Sequence, residues 1–489
     1  MTFPNRANSL AGMNDMAPAP LDSGLLDRFA KIVGDAYALR AEADIAPYLA
    51  ERRGLWAGRS GLVLRPGSVD EVSRILLLAS ETRTPVVPQG GNTGLVGGQM
   101  PDRSGRQIVL SLGRLNRIRE IDILSNTITA EAGVILQNVH EAADANDRLF
   151  PLSLASQGTC QIGGNLSSNA GGTGVLAYGN ARELCLGVEV VLPTGEILDD
   201  LRKLKKDNTG YDLKNLFVGA EGTLGVITAA VLKLFPKPKG REVAWAALAS
   251  PQAALDLYGR AADLAGPSLT AFELMSGRTL DFVLRHIPGA RAPLGGVHPW
   301  HVLLEISSGR SSEDARELVE EVLGGAMEAG MVADASLSAS LMQGEAFWKL
   351  RESMSDAQKP EGASIKHDIS IPVSSIPDFI ARAEEAVASV HPDARVVCFG
   401  HMGDGNLHYN VSQPVRMTPE EFLELYRPMN KAVHDVVRAL GGSISAEHGI
   451  GQLKRDELLA TAPPLAIDLM RRIKREFDPM GIMNPGKMI

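Results

Sequence analysis

The chain has 489 residues, of which 44% are hydrophobic and 22% charged, and its net charge is -9. This balance predicts a globular protein of two or three domains, and it argues against a nucleic-acid-binding protein, which needs a basic face. The three cysteines form no CxxC pair, so we expect a reducing compartment. Neither a signal peptide nor an apolar run of about 18 residues is recognisable, and a cytoplasmic location without a transmembrane segment is the expectation.

Residues 1–21 are rich in Ala, Pro, Asn and Met and are predicted to form a disordered tail. From 22 to 236, short apolar strands alternate with helices and with glycine-rich loops. One helix is predicted from Asp70 to Arg83, with Ser68 or Asp70 as its cap. The sequence Pro-Lys-Pro-Lys that begins at Pro236 marks a domain boundary, because proline interrupts both helix and strand.

Beyond this boundary the predicted helices become longer and are separated by single strands, such as His301–Ile306 and Val396–Phe399. This order predicts helices packed on an antiparallel sheet, and therefore an α+β fold. The predicted helices are Pro251–Leu264, Ser312–Ala329, Ser374–Val390 and Pro419–Leu440.

Three glycine-rich clusters lie at Pro88–Gly98, Gly158–Gly174 and Gly219–Ile227. Glycines let backbone amides approach a ligand closely, and consecutive amides form a concave anion site that suits a pyrophosphate. An ordinary surface turn is the alternative for any one loop. Three such loops together predict one long ligand that crosses several strand ends.

Two nucleotide-binding motifs are nearly present but fail on context. Gly172–Ala177 fits a degenerate form of the dinucleotide-binding motif. That motif has to follow a strand, and no convincing strand precedes Gly172. Gly481–Met488 resembles a P-loop, but Met488 replaces the required Ser or Thr. We therefore expect neither a nicotinamide-binding fold nor an NTPase.

Asp404-Gly405 is a strong hairpin-turn dipeptide, and strand-like residues flank it on both sides. If these two residues form the loop, His401 faces His408 directly, with Cβ atoms roughly 4.5–5.5 Å apart. Two imidazoles at that spacing can share one metal ion. Two ordinary strand histidines are the alternative interpretation.

Together these segments resemble the vanillyl-alcohol-oxidase/PCMH superfamily of flavoproteins. The resemblance is carried by Pro88–Gly98, Gly158–Gly174, Asp207–Leu213, Gly219–Thr228, the His401–His408 turn, Ala446–Gly451 and Asp478–Lys487. Within the superfamily, Gly400–Asn410 and Ser443–His448 are most similar to the D-2-hydroxyacid dehydrogenases, in the branch that oxidises D-2-hydroxyglutarate.

The resemblance implies a PCMH-type FAD-binding domain over 22–236 and a substrate, or cap, domain over 237–440. It implies that 441–489 completes the active site and packs on the FAD domain. FAD is expected to be non-covalent, because the first glycine loop has no histidine. The implied cofactor-binding residues are Gly90, Gly91, Asn92, Thr93, Gly94, Leu95, Gly158, Thr159, Gly163, Asn165, Gly174, Glu221, Val226, Ile227 and Asn484.

The resemblance also implies a divalent metal held by His401, His408 and Glu447, with Zn²⁺ favoured and Mn²⁺ as the alternative. His448 is then the candidate general base. From the residues alone, Glu447 and His448 are better interpreted as part of a solvated loop. Arg351 alone is better interpreted as a member of a surface salt bridge. The implied substrate-binding residues are Arg351, Ser355, Lys366, Asn410 and His448.

The expected function is oxidation of D-2-hydroxyglutarate to 2-oxoglutarate, with hydride transfer to flavin N5. An electron-transfer flavoprotein or another external acceptor would then take the electrons. Two alternatives stay open: a dehydrogenase of D-lactate or another D-2-hydroxy acid such as D-malate, and a non-catalytic flavin-binding subunit of a larger complex. A homodimer is compatible with the sequence.

Overall fold

The computed structural model describes residues 21–489, so that all but the last residue of the predicted tail lies outside the described part. Two compact units divide the described chain. The first comprises residues up to 170, 180–235 and 448–489, and the second comprises 171–179 and 236–447. The division near 236 matches the predicted boundary to one residue. The later division follows Glu447 instead of Leu440, and the sequence did not predict that 171–179 joins the second unit.

Helices and strands occur throughout both units. The α-helices are α1 Ser23–Val33, α2 Glu42–Leu49, α3 Val69–Thr82, α4 Leu136–Asp144, α5 Ile162–Ser167, α6 Val175–Tyr178, α7 Ala181–Leu184, α8 Lys214–Phe217, α9 Pro251–Ala265, α10 Gly277–His286, α11 Ser312–Glu328, α12 Leu341–Glu352, α13 Met354–Ala357, α14 Ile376–Val390, α15 Pro419–Glu424, α16 Tyr426–Ala439, α17 Arg455–Thr461 and α18 Pro464–Phe477. The strands are β1 Ala38–Leu39, β2 Val63–Leu64, β3 Val86–Gln89, β4 Ile108–Ser111, β5 Ile118–Asp122, β6 Thr127–Glu131, β7 Arg148–Leu149, β8 Cys185–Val191, β9 Ile197–Asp200, β10 Val226–Lys233, β11 Phe235–Pro236, β12 Gly240–Leu248, β13 Leu269–Ser276, β14 Trp300–Ser308, β15 Asp334–Leu337, β16 Ser364–Ile365, β17 Asp368–Ser370, β18 Arg395–His401 and β19 Asn406–Ser412.

Helix α3 shows how the sequence specifies the first unit. The Ser68 side chain accepts a hydrogen bond from the Glu71 amide at 3.2 Å and so caps the helix. Val72, Ile75 and Ala79 are buried at helical spacing and pack in the hydrophobic core of this unit. The helix predicted from Asp70 to Arg83 is confirmed, with Ser68 as the cap.

Two sheets support the glycine loops of the first unit. One has the order β1-β2-β4-β3, in which β2, β4 and β3 are parallel, and the other has the antiparallel order β5-β6-β10-β8-β9. Strand β3 leads directly into the first glycine cluster. The C-terminal segment also belongs here, since the Asn484 amide donates to the Val86 carbonyl oxygen at 2.8 Å. Its predicted return to the first domain is confirmed.

An antiparallel sheet of eight strands, with the order β15-β12-β14-β13-β18-β19-β16 and β17 paired to β19, forms the centre of the second unit. Every pairing in it is antiparallel. Helices α9, α11, α14 and α16 contribute buried apolar residues to the core on this sheet. The predicted α+β architecture is therefore confirmed.

Two predicted helices in the second unit are interrupted. The helix predicted over Pro419–Leu440 is two helices, α15 and α16, with Leu425 between them. Pro428 lies in the first turn of α16 and has no N–H to donate to Glu424, so one continuous helix cannot form. The sequence of Trp348–Ser355 also predicts a helix, with Arg351 and Ser355 at i and i+4 on one face, but α12 ends at Glu352 and Ser355 lies on α13.

Candidate active site

The first unit contains a cleft lined by residues of all three glycine clusters. His448, the predicted base, also lines this cleft. The predicted cofactor-binding residues that line it are Gly90, Gly91, Asn92, Thr93, Gly94, Gly163, Asn165, Glu221, Val226 and Ile227.

Close packing between two glycine clusters shapes this cleft. A Cβ atom on Gly91 would lie 2.1 Å from the Thr159 carbonyl oxygen, so no side chain fits there. Asn92 has a φ of 53°, which asparagine tolerates better than most residues. Its side-chain amide donates to the carbonyl oxygens of Pro47 and Ala50 at 3.0 and 2.9 Å. The first loop is therefore held in one conformation beside the second.

Amide side chains of the cleft have buried polar atoms of both kinds without a hydrogen-bond partner: the acceptors Gln89 Oε1 and Gln161 Oε1, and the donor Asn165 Nδ2. Buried polar atoms in folded proteins nearly always have a partner. A ligand with both donors and acceptors, such as a flavin nucleotide, would satisfy both, so the residues present fit FAD. Gln161 was not predicted, although a polar residue inside a glycine-rich cluster was the available signal.

Five predicted cofactor-binding residues are not among those that line the cleft. Gly174 lies in the segment that joins the second unit. Asn484 instead donates to the carbonyl oxygens of Gly98 and Glu221 at 2.9 and 2.8 Å, which fixes the C-terminal segment against two glycine loops. The five are Leu95, Gly158, Thr159, Gly174 and Asn484.

Glu221 lines the cleft and also holds the chain that follows His448. Its carboxylate accepts hydrogen bonds from the amides of Ile450 and Gly451 at 2.6 and 2.8 Å. Burial raises the pKa of Glu221, although these two hydrogen bonds oppose the shift. Its contacts are to backbone amides, so its role in the structure is to fix a loop.

His401, His408 and Glu447 lie together in the second unit, with one ligand atom of each within 4.8 Å of the others. The Nε2 atoms of His401 and His408 lie 3.7 and 3.9 Å from the two carboxylate oxygens of Glu447. Around a tetrahedral zinc ion, ligand atoms are roughly 3.4 Å apart. This ligand cluster therefore has the donor set and nearly the spacing of a zinc site with three protein ligands.

The hairpin that carries the two histidines is not the predicted two-residue turn. Phe399, not His401, lies opposite His408, because Met402–Asp404 forms a 3₁₀ turn that ends at Gly405 with φ 86°. The predicted register was wrong by two residues. A shift of two keeps side chains on the same face of a strand, so the imidazole centroids are still 5.9 Å apart.

Glu447 reaches the hairpin through a short pairing that sequence reasoning could not predict. The amide and carbonyl groups of Ser370 and Ser443 exchange hydrogen bonds of 2.7 and 3.0 Å. The Glu447 amide then donates to the Asp368 carboxylate at 3.0 Å. The segment after α16 therefore returns along β17, and Glu447 lies beside His401 and His408.

Glu273, which was not predicted, contacts both the ligand cluster and a candidate substrate residue. Its two oxygens lie 2.6 Å from His401 Nδ1 and 2.7 Å from Arg351 Nε. Burial favours a raised pKa for Glu273, but the charges of Arg351 and His401 outweigh it and hold the pKa at about 2. A single glutamate inside the apolar strand β13 was the sequence signal for this residue.

The pKa values of His401 and Glu447 in the ligand cluster are both raised. Burial lowers the pKa of His401, but the charge of Glu273 and its hydrogen bond prevail and raise it to about 9. Burial raises the pKa of Glu447 to about 7; the charge of His401 opposes the shift, and the charge of Asp368 adds to it. A cation bound here would replace protons on these groups.

Arg351 is buried and forms an ion pair with Glu273, so its interpretation as a surface salt bridge is wrong. Its Nη2 atom is buried without a hydrogen-bond partner. Its guanidinium lies over the Phe399 ring, with 5.0 Å between Cζ and the ring centroid. Since an unpartnered guanidinium nitrogen suits a carboxylate oxygen, Arg351 has a free donor for an anionic ligand.

The remaining predicted substrate residues form two separate sets of contacts. Lys366 Nζ lies 3.4 Å from Ser355 Oγ, so the structure brings these two residues together. Asn410 donates to Gln358 Oε1 at 3.0 Å and accepts from the His367 amide at 3.3 Å. Asn410 is therefore bonded to its own unit, and its contact with substrate stays a prediction.

Comparison with known proteins relates this geometry to a family. The family model for the C-terminal domain of FAD-linked oxidases matches residues 237–488, and a model for an FAD-binding domain matches 61–200. The chain is 35% identical over 487 residues to a mitochondrial D-2-hydroxyglutarate dehydrogenase of Arabidopsis thaliana, covering all of this chain and 85% of the relative. It is 37% identical over 454 residues to a D-2-hydroxyglutarate dehydrogenase of Xanthomonas citri pv. viticola, covering 93% of this chain and 94% of the relative. The chain belongs to the FAD-linked D-2-hydroxyacid dehydrogenase family.

A solved structure agrees with this dehydrogenase in fold. p-Cresol methylhydroxylase with bound substrate superposes with a TM-score of 0.74 at 16% identity, covering 95% of this chain and 96% of that one. The PCMH-type fold expected from the resemblance is thereby confirmed. The family models and the two relatives confirm an FAD-dependent D-2-hydroxyacid dehydrogenase. Among residues 21–489, no helix has the length and apolar character that crossing a bilayer requires, and the cytoplasmic location stays a prediction.

Proposed function

We propose that this dehydrogenase oxidises D-2-hydroxyglutarate to 2-oxoglutarate with FAD and a divalent metal, and passes the electrons to an external acceptor. The observation that carries the proposal is the arrangement around Glu273. One oxygen of this carboxylate holds His401 of the ligand cluster, and the other holds Arg351, which has an unpartnered nitrogen. The names of the two relatives support D-2-hydroxyglutarate as the substrate.

The ligand cluster accounts for the metal part of the proposal. His401, His408 and Glu447 would hold the ion and leave a coordination position open, as catalytic zinc sites do. The donor set favours Zn²⁺ and also suits Mn²⁺. When bound, the ion supplies the positive charge that makes the substrate hydroxyl acidic, and FAD supplies the acceptor for two electrons.

The charged side chains account for a dicarboxylate substrate. Arg351 would bind one carboxylate through its terminal nitrogens, and Lys366 would attract a carboxylate as a point charge, with Ser355 beside it. Asn410 would add an amide contact. His448, next to Glu447 in sequence, would accept the hydroxyl proton as general base. These residues orient the substrate and move its proton.

The first test is a substrate panel with the purified holoprotein, followed by bleaching of the flavin absorbance without oxygen and by turnover with a dye acceptor. We expect kcat/KM to be highest for D-2-hydroxyglutarate, lower for D-malate and lowest for D-lactate. A tenfold preference for D-lactate would refute the dicarboxylate assignment. Unchanged flavin absorbance with every hydroxy acid would instead support a non-catalytic flavin subunit.

Removal of the metal tests the second part of the proposal. Treatment with EDTA is expected to abolish activity while FAD stays bound, and Zn²⁺ or Mn²⁺ should restore it. Full activity in protein shown to be metal-free would contradict the metal requirement. The same preparation tests non-covalent FAD, since acid precipitation should release all the flavin into the supernatant.

The acceptor is tested with the same holoprotein. An electron-transfer flavoprotein is expected to reoxidise the substrate-reduced flavin faster than dissolved oxygen does. Reoxidation that is fastest with oxygen would instead identify an oxidase and contradict this part of the proposal.

A further inference from the structure

Each histidine of the ligand cluster lies directly opposite a buried carboxylate on the neighbouring strand. Glu273 of β13 is paired with His401 of β18, and Asp368 of β17 is paired with His408 of β19. The neighbouring strands β13, β18, β19 and β17 therefore carry a carboxylate, two imidazoles and a second carboxylate, and the two imidazoles are offset by two residues. Direct cross-strand partners have neighbouring Cβ atoms, so the register itself supplies an acceptor beside each imidazole.

The two carboxylates differ in what they hold. Glu273 is 1% exposed, and its hydrogen-bond partners are the His401 imidazole and the Arg351 guanidinium. Asp368 lies 4.0 Å from His408 Nδ1, and its oxygens accept hydrogen bonds from the Asn406 side chain and the Glu447 amide. Glu273 holds the candidate metal ligand His401 by a hydrogen bond of 2.6 Å.

We propose that Glu273 is a positioning residue for both ligands of this active site. Through one oxygen it orients the His401 imidazole for the metal, and through the other it orients Arg351 for the substrate carboxylate. The inference rests on the proposed function, because it assumes the metal and the carboxylate that this function requires.

The chemistry of imidazole explains the first role. When Nδ1–H donates to the Glu273 carboxylate, the lone pair is on Nε2, which is the atom that faces Glu447. An acceptor that fixes the tautomer and ring orientation in this way commonly changes metal affinity by roughly 10- to 100-fold. Loss of the charge on Glu273 should therefore weaken the metal site without removing a ligand.

The geometry of arginine explains the second role. Glu273 accepts from Nε, which leaves the terminal nitrogen Nη2 available. A guanidinium is planar, so fixing Nε also fixes the direction of the terminal nitrogens. One carboxylate therefore sets the orientation of a candidate metal ligand and of a candidate substrate ligand.

The test compares Glu273→Gln with Glu305→Gln. Glu305 is also a buried glutamate of the same sheet that pairs with an arginine, Arg241, but its other partners are Trp348 and Thr270. Zn²⁺ affinity of the metal-free proteins is measured by competition with a chromophoric chelator, and FAD content is measured in parallel. We expect Glu273→Gln to weaken Zn²⁺ binding by about 10- to 100-fold at unchanged FAD content, and Glu305→Gln to change it less than twofold.

Steady-state kinetics at saturating Zn²⁺ separates the two roles. Excess Zn²⁺ should restore most of kcat in Glu273→Gln, whereas KM for D-2-hydroxyglutarate should stay raised by about tenfold, since Arg351 has lost its partner. A normal KM would overturn the role toward Arg351. Glu273→Asp, which keeps the charge but shortens the reach, provides the same readouts if the glutamine variant fails to fold.

The outcomes distinguish this inference from the proposed function. Wild-type protein that binds Zn²⁺ and oxidises D-2-hydroxyglutarate, together with a Glu273→Gln variant of equal Zn²⁺ affinity, would overturn the inference alone. Wild-type protein that neither binds Zn²⁺ nor needs a divalent ion would overturn both.

Discussion

The cleft of the first unit and the ligand cluster of the second are built from different parts of the chain. Backbone shapes the cleft: glycine loops approach so closely that a side chain at Gly91 would meet a carbonyl oxygen. Side chains build the cluster: three residues converge from a strand end, a strand and a loop. The cleft, which is shaped by backbone, should therefore lose its ligand when a side chain is added. The ligand cluster, which is built from side chains, should lose its ion when a side chain is removed.

The largest expected effect is at Glu447, whose removal deletes a candidate ligand. Glu447→Ala should lower kcat/KM for D-2-hydroxyglutarate by at least ~10³-fold, or roughly 4 kcal/mol, because the ion loses one of three protein ligands. Flavin absorbance should be unchanged, since the glycine loops are intact. Steady-state kinetics and metal content measure the effect. Glu424→Ala, an exposed acid on α15, is the control, and a variant at Glu447 with normal activity would contradict the cluster as the metal site.

Arg351→Lys should have the next largest effect. Lysine keeps the positive charge beside Glu273 but loses the planar set of donors, so kcat/KM for D-2-hydroxyglutarate should fall by about 100-fold, or ~2.7 kcal/mol. The measurement is kinetics at saturating Zn²⁺, which removes any contribution from metal loss. Arg382→Lys in the exposed pair with Asp378 is the control. Equal kinetics of the two variants would exclude Arg351 from substrate binding.

Adding one methyl group provides the converse test in the first unit. A Cβ atom at Gly91 would lie 2.1 Å from the Thr159 carbonyl oxygen, whereas no atom lies within 4 Å of a Cβ added to Gly259 in α9. Gly91→Ala should reduce the FAD occupancy of purified protein by about tenfold, because backbone must shift, and Gly259→Ala should not. Zn²⁺ binding by both variants should equal that of wild type. Full FAD occupancy in Gly91→Ala would contradict a cleft shaped by backbone contact.

The same difference explains which parts of the site the sequence could predict. Glycine loops need particular residues at particular positions, so Gly90 to Gly94 could be located from the sequence alone, and they line the cleft. His401 and His408 were also found, because a turn dipeptide lies between them. Their register was wrong by two residues, since a 3₁₀ turn has no distinctive sequence signal.

Long-range pairing was beyond sequence reasoning. Glu273 is 128 residues from His401, and only the register of β13 and β18 makes them neighbours. Gly174 shows the opposite error: it lies in a glycine-rich segment, but that segment belongs to the second unit. Composition indicates a type of site, whereas strand pairing decides which residues share it.

Glu221 of the first unit and Glu273 of the second predict opposite pH dependences of stability. Glu221 faces backbone amides and its pKa is raised, so its charged form is less stable in the folded protein than in the unfolded chain. The contribution of Glu221 to stability is fully present below its pKa in the unfolded chain. This contribution is lost as pH rises through its higher pKa in the folded protein. Glu273 faces two cations and its pKa is about 2, so its contribution is present above the unfolded pKa and is lost as pH falls.

Thermal unfolding of Glu221→Gln and Glu273→Gln between pH 4 and 6, at one scan rate, tests these signs. Wild-type stability relative to Glu273→Gln should increase by about 1 kcal/mol from pH 4 to 6, because the unfolded chain releases a proton over this range and the folded protein does not. Wild-type stability relative to Glu221→Gln should decrease over the same pH range. Slopes of the same sign would mean that the cations beside Glu273 do not outweigh its burial, and that the two carboxylates are electrostatically alike.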